Sequence, residues 1–297
     1  MFPTRRSFTQ ALLVGSVLAP LLRPREATAQ IAAAPDLRMR LLQARESANP
    51  RARIAAEKTL ARLDELAIDF AAPRLILVNI AATEVIAFEN GREVMRSKVI
   101  VGTGRTRTPQ LLTFVTSVRT NPPWHVPHSI FAEIRASGAA GFQAVGGRLI
   151  QPPGPNNPLG PLRLGLLDSD GIFLHGTNRP GLFERQARNL SHGCVRVERI
   201  RELCAWVLDV PPAEVNAAVA TRRTMELHPM QEVQVVLAYL TAWPDMTGQM
   251  VVHPDPYGLD APGTRIARHR RVMRSAPDDP MEVEEAARST IEAASRL

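Results

Sequence analysis

The dipeptide Asn90-Gly91 separates two runs rich in β-branched and apolar residues, "TEVIAFE" and "REVMRSKVIVG". Asn-Gly accepts the positive φ angles of a two-residue hairpin turn, which most residue pairs resist. Such a turn fixes the register of the strands it joins. Because strand side chains alternate between faces, register decides which of them enter a core. With "RLILVNI" before it and "TFVTSVRT" (113–120) after it, the stretch from Arg74 to Thr120 reads as a meander of antiparallel strands. The chain is therefore expected to be mainly β, of α+β class, with its helices at the flanks.

The flanks carry those helices. Leu37, Leu41 and Leu42, then Ile54, Leu60, Leu63 and Leu66, recur at helical spacing over 36–66, and Asn49-Pro50 interrupts them. The pattern predicts an amphipathic lead-in over 30–72 that packs on the main domain. Residues 121–165 are punctuated by Pro and Gly and predict neither helix nor ordinary strand, but an ordered loop framing a cleft. Strand signals return at "GIFLHGT", helix signals at 198–209 and in "PAEVNAAVATRR", and a strand pair or one long strand at 231–243. The domain is expected to span 73–260. Beyond it, five arginines in 265–274 face an acidic block from Asp278 to Glu285, a pattern that predicts a solvated, flexible tail over 261–297.

The first 29 residues read as an address. Arg5-Arg6 precedes a mild apolar run from Ala11 to Leu22, and Ala27-Thr28-Ala29 fits a signal-peptidase site. The run is too short for a confident membrane span, which takes about 20 residues, and the paired arginines resemble a twin-arginine export signal. The expected location is the periplasm, with no stable span in the mature form. Loss of residues 1–29 removes four arginines and Glu26, lowering the formal net charge from +7 to +4. A modest basic excess suits an anionic polymer without selecting one. No basic stripe carries stacking aromatics, so nucleic acid is not an expected partner.

Two of the chain's seven histidines and one of its two cysteines fall in "LHGTNRPGLFERQARNLSHGCVRVE", residues 174–198. His175, His192 and Cys194 would give three zinc ligands, but no fourth stands at a recognisable spacing, so no metal is expected. As a nucleophile the group makes more sense. A thiol attacks as its thiolate and needs a neighbouring base or positive charge. His175, ending a predicted strand, supplies the base, and the Gly176 carbonyl orients its ring. Gly193 lets the chain turn so that the N–H groups of Gly193 and Cys194 face a developing oxyanion. Arg196 suits bidentate capture of a carboxylate. Cys204 repeats with Ile200, Leu203, Val207 and Leu208 at helical spacing and reads as a buried apolar residue.

His175, a gap of fifteen residues and then "SHGCVR" at 191–196 resemble the signature of the YkuD-like L,D-transpeptidases, bacterial cell-wall enzymes. "VGTGRTRTP" (101–109), "NPPWHVPHSI" (121–130), "QPPGPNNPLG" (151–160) and "LTAWPDMTGQMVVHPDPYGLD" (240–260) extend the resemblance to the large Gram-negative, murein cross-linking subgroup. The resemblance implies a β-sandwich of mixed sheets. It also implies that Cys194 attacks the diaminopimelate carbonyl of a tetrapeptide stem, expels D-alanine, and passes the acyl group to a second stem as a 3→3 cross-link. In this scheme His175 moves the proton, no cofactor is needed, and carbapenems acylate Cys194. Ser191, His192 and Arg196 would contact substrate, Arg196 either holding an acidic group or bracing the loop. Trp124 would line the cleft or anchor the core. The chain departs from the subgroup in its short lead-in, too small for a peptidoglycan-binding module, and in a short lid at 131–150. Water as acceptor would give a carboxypeptidase or an amidase releasing wall-attached protein, a free D-amino acid would give an exchange enzyme, and loss of turnover a wall-binding protein.

Overall fold

The computed structural model describes residues 34–136, 138, 141–264 and 270–272. The export signal expected over 1–29 and the acidic block at 278–285 lie outside the described residues. Helices α1 (Ala34–Arg45) and α2 (Pro50–Leu66) form the lead-in hairpin. Asn49 caps α2 by accepting the N–H groups of Arg51 and Ala52, and Pro50 takes a first-turn position where no N–H is needed. The hairpin sets Leu37, Leu41, Leu60, Leu63 and Leu66 against Leu75, Leu77, Phe88, Val236 and Trp243. It is a packed layer of the domain, as an amphipathic lead-in should be.

Strands β1 (Arg74–Asn79), β2 (Glu84–Glu89) and β3 (Arg92–Gly102) are joined as the Asn90-Gly91 turn requires, each antiparallel to the next. Both turn residues have positive φ, +47° and +75°. β1 is buried along its whole length because both its faces are covered. Leu75 and Leu77 meet the helical hairpin, whereas Ile76 and Val78 enter the main core. A strand buried on both faces must be apolar throughout, and "RLILVN" nearly is.

The expected meander stops at β3. Strand β4 (Leu111–Thr120) does not pair with it. The chain continues through β5 (Trp124–His125), α3 (His128–Ala136), β6 (Gln143–Val145), β7 (Arg148–Gln151), β8 (Leu162–Leu166), β9 (Leu174–His175), β10 (Asn189–Ser191) and β11 (Val195–Val197). Helices α4 (Ile200–Leu208) and α5 (Pro212–Ala220) follow, then β12 (Met225–Leu227), β13 (Gln234–Ala238), β14 (Ala242–Pro244), β15 (Met250–Val252) and β16 (Arg270–Arg271). The main sheet runs β10-β3-β11-β9-β8-β4-β13-β1-β2, and the β2–β3 pairing closes it on itself. The two long strands make the corners. β3 pairs with β2 up to Lys98 and with β11 at Val99–Ile100, while β4 pairs with β13 up to Phe114 and with β8 from Val115. A strand that changes partners midway bends from one layer into the other. Parallel pairs (β1·β13, β9·β11, β3·β10) sit among antiparallel ones, so the fold is a mainly β sandwich of mixed sheets with short flanking helices.

Two further expectations are corrected. The Pro/Gly-rich segment holds real elements, namely α3 and a three-stranded sheet ordered β5-β7-β6. Its turn is Gly146-Gly147, both at positive φ, which joins β6 to β7 as a two-residue hairpin. The tail is also not wholly solvated. β16 pairs in parallel with Leu111–Leu112 of β4, and Val272 is buried in the main core, because an apolar residue beside a bare strand edge gains by covering it.

Candidate active site

Register assembles the site. Leu162 and Leu164 of β8, Leu174 of β9, and Val195 and Val197 of β11 all enter the core. Alternation therefore turns Arg163, His175 and Arg196 to the opposite face. Arg163 stands opposite His175 in the ladder, and His175 opposite Arg196. Cys194 lies two residues before Arg196, partly exposed, with its Sγ donating to the Gly171 carbonyl at 3.6 Å. The fifteen-residue gap in the motif is thus the loop that carries the chain from β9 round to the neighbouring β11.

The turn bearing Cys194 is held from inside and below. Ser191 Oγ donates to the Cys194 carbonyl at 2.6 Å and accepts the Gly193 N–H at 3.1 Å. Gly193 sits at φ +119°, a conformation that residues with a Cβ rarely adopt. Its carbonyl accepts the Thr108 hydroxyl at 2.8 Å, and Thr108 Oγ1 in turn accepts the Gly102 N–H at 2.9 Å. Below these, the Tyr257 hydroxyl accepts the Thr108 N–H at 3.1 Å and donates to the Gly102 carbonyl at 2.7 Å. The Tyr257 ring stacks on Tyr239, whose hydroxyl donates to Asp255 at 2.7 Å.

His175 is buried, and its Nδ1 makes no hydrogen bond of normal geometry. Burial pushes its pKa down to about 3, and the charges of Arg196 and Arg163 push the same way. The carbonyls of Gly176 and Leu159 work in the opposite sense and lose. The imidazole is therefore neutral near pH 7. Burial also pushes the Cys194 thiol up, outweighing the Phe173 backbone and the charges of Arg196 and Arg163. Removing a thiolate from water costs more than two partly screened cations return. Cys194 and Cys204 are both free, and Cys204 is fully buried in α4, its thiol also raised by burial.

The remaining expected residues are distributed around this centre. Gly176 is buried, with its N–H on the Leu162 carbonyl at 3.0 Å, and an added Cβ would meet Pro161 Cδ at 3.0 Å and the Leu159 carbonyl at 3.3 Å. His192 points outward, its Nε2 3.2 Å from Glu133 of α3. Trp124 is half-buried on β5, its ring 6.0 Å from that of Phe142. Among the described residues no three His, Cys, Asp or Glu side chains gather as a metal site would require.

Four contributors escaped the sequence reading. Thr108 and Tyr257 brace the turn from segments far away in the chain. Buried Asn157 ties its own loop, 152–161, to the connection between β4 and β5, donating to the Pro122 carbonyl at 3.0 Å and the Pro152 carbonyl at 3.1 Å, and accepting the Leu159 N–H at 2.9 Å. Arg163 carried a signal of its own, a charge within the alternating "LRLGL", while Thr108, Asn157 and Tyr257 lie inside stretches that carry the family resemblance.

With this geometry in view, the comparisons with known proteins are direct. The family model for the YkuD L,D-transpeptidase catalytic domain matches residues 73–264. The chain belongs to this family. A putative L,D-transpeptidase of Haemophilus influenzae is 28% identical over 217 residues, covering 62% of this chain and 44% of that protein. A probable L,D-transpeptidase of Escherichia coli is 30% identical over 208 residues, covering 65% of this chain and 61% of its own length. The match thus spans about half the length of these curated relatives. A solved L,D-transpeptidase of Mycobacterium smegmatis is 14% identical, with a TM-score of 0.33 and coverage of 56% of this chain and 58% of that one. Among the described residues no helix is long and apolar enough to cross a membrane.

Proposed function

We propose that the protein is an exported, periplasmic L,D-transpeptidase that makes 3→3 cross-links in peptidoglycan through a thioester on Cys194. One observation carries this reading: buried His175 stands opposite Arg196 on the neighbouring parallel strand, and partly exposed Cys194 lies two residues before Arg196 on a turn locked by Ser191 and Thr108. The export signal over 1–29, the lead-in over 30–72 and the catalytic domain over 73–260 belong to the same proposal.

The resting pair is thiol and imidazole, both uncharged. As Cys194 Sγ bonds to the diaminopimelate carbonyl carbon, its proton passes to His175, which then returns it to the departing D-alanine amine. The acceptor amine attacks the thioester, gives up a proton through His175, and the thiol is restored. His175 needs to be a proton carrier only while the substrate is bound, and a base that is neutral at rest meets that requirement. The Gly193 N–H is engaged by Ser191 Oγ in the resting turn. The Cys194 N–H is therefore the first donor for the oxyanion, and Gly193 joins it if Ser191 yields. No step calls on a metal or an organic cofactor. Arg196, on the same face, holds a stem carboxylate. A carbapenem, which presents a strained acyl group to the same thiol, acylates Cys194.

The test is mass spectrometry of the protein incubated with a disaccharide-tetrapeptide from diaminopimelate-type peptidoglycan. A dimer joined through two diaminopimelate residues, missing with Cys194→Ala, supports the reading. Tripeptide monomer alone makes the protein a carboxypeptidase, and unchanged tetrapeptide overturns the assignment to stem peptides.

A further inference from the structure

Across four neighbouring strands the ladder aligns Arg119 (β4), Arg163 (β8), His175 (β9) and Arg196 (β11), and Glu226 of β12 stands opposite Arg119. In-register residues share a face, so these side chains form one row. Its arginines are not equivalent. Arg119 is neutralised by an ion pair with Glu226, which Ser117 also fixes through a 2.7 Å hydrogen bond. Arg163 and Arg196 pair with no carboxylate within 4 Å among the described residues, and each has a buried Nε without a hydrogen-bond partner. Each also keeps part of its surface open. Arg179, on the loop after β9, adds a third charge near Arg196.

Placing two guanidinium groups half out of water without a direct ion pair is costly, and for Arg163 the fold offsets this only in part, through the more distant charge of Glu226, already paired with Arg119. Phe173 supports Arg163 by packing its ring 4.3 Å from the guanidinium, which orients the fork without neutralising it. The two arginines flank His175 from the strands on either side of it, so their backbones stand about 10 Å apart, two strand spacings. A ligand lying over His175 and Cys194 thus meets one unpaired guanidinium on each side.

We propose that Arg163 is a specificity residue of this site, holding a free carboxylate of the acyl donor on the side of His175 away from Arg196. The inference rests on the L,D-transpeptidase reading and deepens it. A diaminopimelate tetrapeptide stem offers suitable groups: the carboxylate of its γ-linked D-glutamate and that of the distal diaminopimelate centre, both of which stay on the acyl-enzyme after D-alanine leaves. Bidentate guanidinium–carboxylate pairing discriminates against an amide, which lacks the charge and one acceptor oxygen. The enzyme therefore selects stems whose carboxylates are free over stems in which they are amidated.

The experiment compares wild type, Arg163→Gln and Arg163→Lys by intact-mass acylation rates with two synthetic tetrapeptide donors, one with both stem carboxylates free and one with both amidated. Alkylation by iodoacetamide, a neutral probe, reads the thiol alone. The wild type is expected to prefer the free-carboxylate donor by about tenfold or more, the scale of one charge-assisted hydrogen bond. Arg163→Gln is expected to lose most of that preference and Arg163→Lys to keep part of it; any slowing of the thiol by the lost charge falls equally on both donors and leaves their ratio untouched. Equal preference in wild type and Arg163→Gln overturns the inference. If the wild type is acylated by neither donor, the underlying transpeptidase reading fails, and this inference with it.

Discussion

The Thr108 hydroxyl donates to the Gly193 carbonyl at 2.8 Å while accepting the Gly102 N–H at 2.9 Å, so one side chain bolts the turn before Cys194 to the end of β3. Thr108→Val keeps the shape and removes both bonds, leaving a buried carbonyl and a buried N–H unsatisfied at about 1–3 kcal/mol. The melting temperature is expected to fall by several degrees and carbapenem acylation of Cys194 to slow by about tenfold as the thiol loses its aim. Thr108→Ser, which retains the hydroxyl, should restore most of the rate. Acylation of the valine variant at the wild-type rate would refute the bracing role.

Gly193→Ala tests the turn from the other side. At φ +119° an alanine is strained by about 1–3 kcal/mol whatever space surrounds it. The new Cβ would lie 3.4 Å from Ile172 Cδ1, so sterics add little. The expected result is a destabilised protein whose acylation is reduced more than its folding, read by thermal melting and intact mass together. An unaltered acylation rate would mean that the turn tolerates another conformation.

His175 gives a signature in stability against pH. Its pKa falls from 6.5 to about 3 on folding, so the unfolded chain takes up the proton first. The stability tied to neutral His175 is complete above pH 6.5 and is lost progressively as the pH falls toward 3. Urea midpoints measured across this window should decline less steeply for His175→Gln than for the wild type. Parallel profiles would show that the imidazole is not held neutral.

The two thiols should separate chemically. Burial raises both, but Cys194 is partly exposed and Cys204 is not. Iodoacetamide at pH 7 should modify Cys194 more slowly than it modifies a free cysteine, and Cys204 only after denaturation. Rapid alkylation of Cys194 at pH 7 would place a thiolate in the resting site. Cys194→Ala, which forfeits one weak S–H···O contact, should abolish acylation while moving the melting temperature by no more than a few degrees.

The sequence read well wherever a local signal exists. Asn90-Gly91 specified its hairpin, Asn49-Pro50 the break between the two lead-in helices, and the spacing from His175 to Cys194 a connection that brings β9 beside β11. The ladder of β1 with β13 was illegible, since no short-range pattern reports that residues 74–79 lie beside 234–238. The same distance hid Thr108 and Tyr257, ordinary residues until the fold brings them under Gly193. The Gly146-Gly147 hairpin was legible in principle, and surrounding prolines masked it. The thiol's rise was also illegible, because charge is visible in a sequence and desolvation is not.

The position of β13 has a consequence for how the protein comes into being. It lies between β1 and β4, although more than a hundred residues separate it from either in the chain. A nascent chain that has not yet released residue 238 from the ribosome carries β1 and β4 with bare inner edges and no way to close the ring. Those edges are open to pairing with other chains for as long as synthesis of the second half takes. The sheet therefore cannot close until residues 234–238 have emerged, and the first half of the chain waits on the second for its shape.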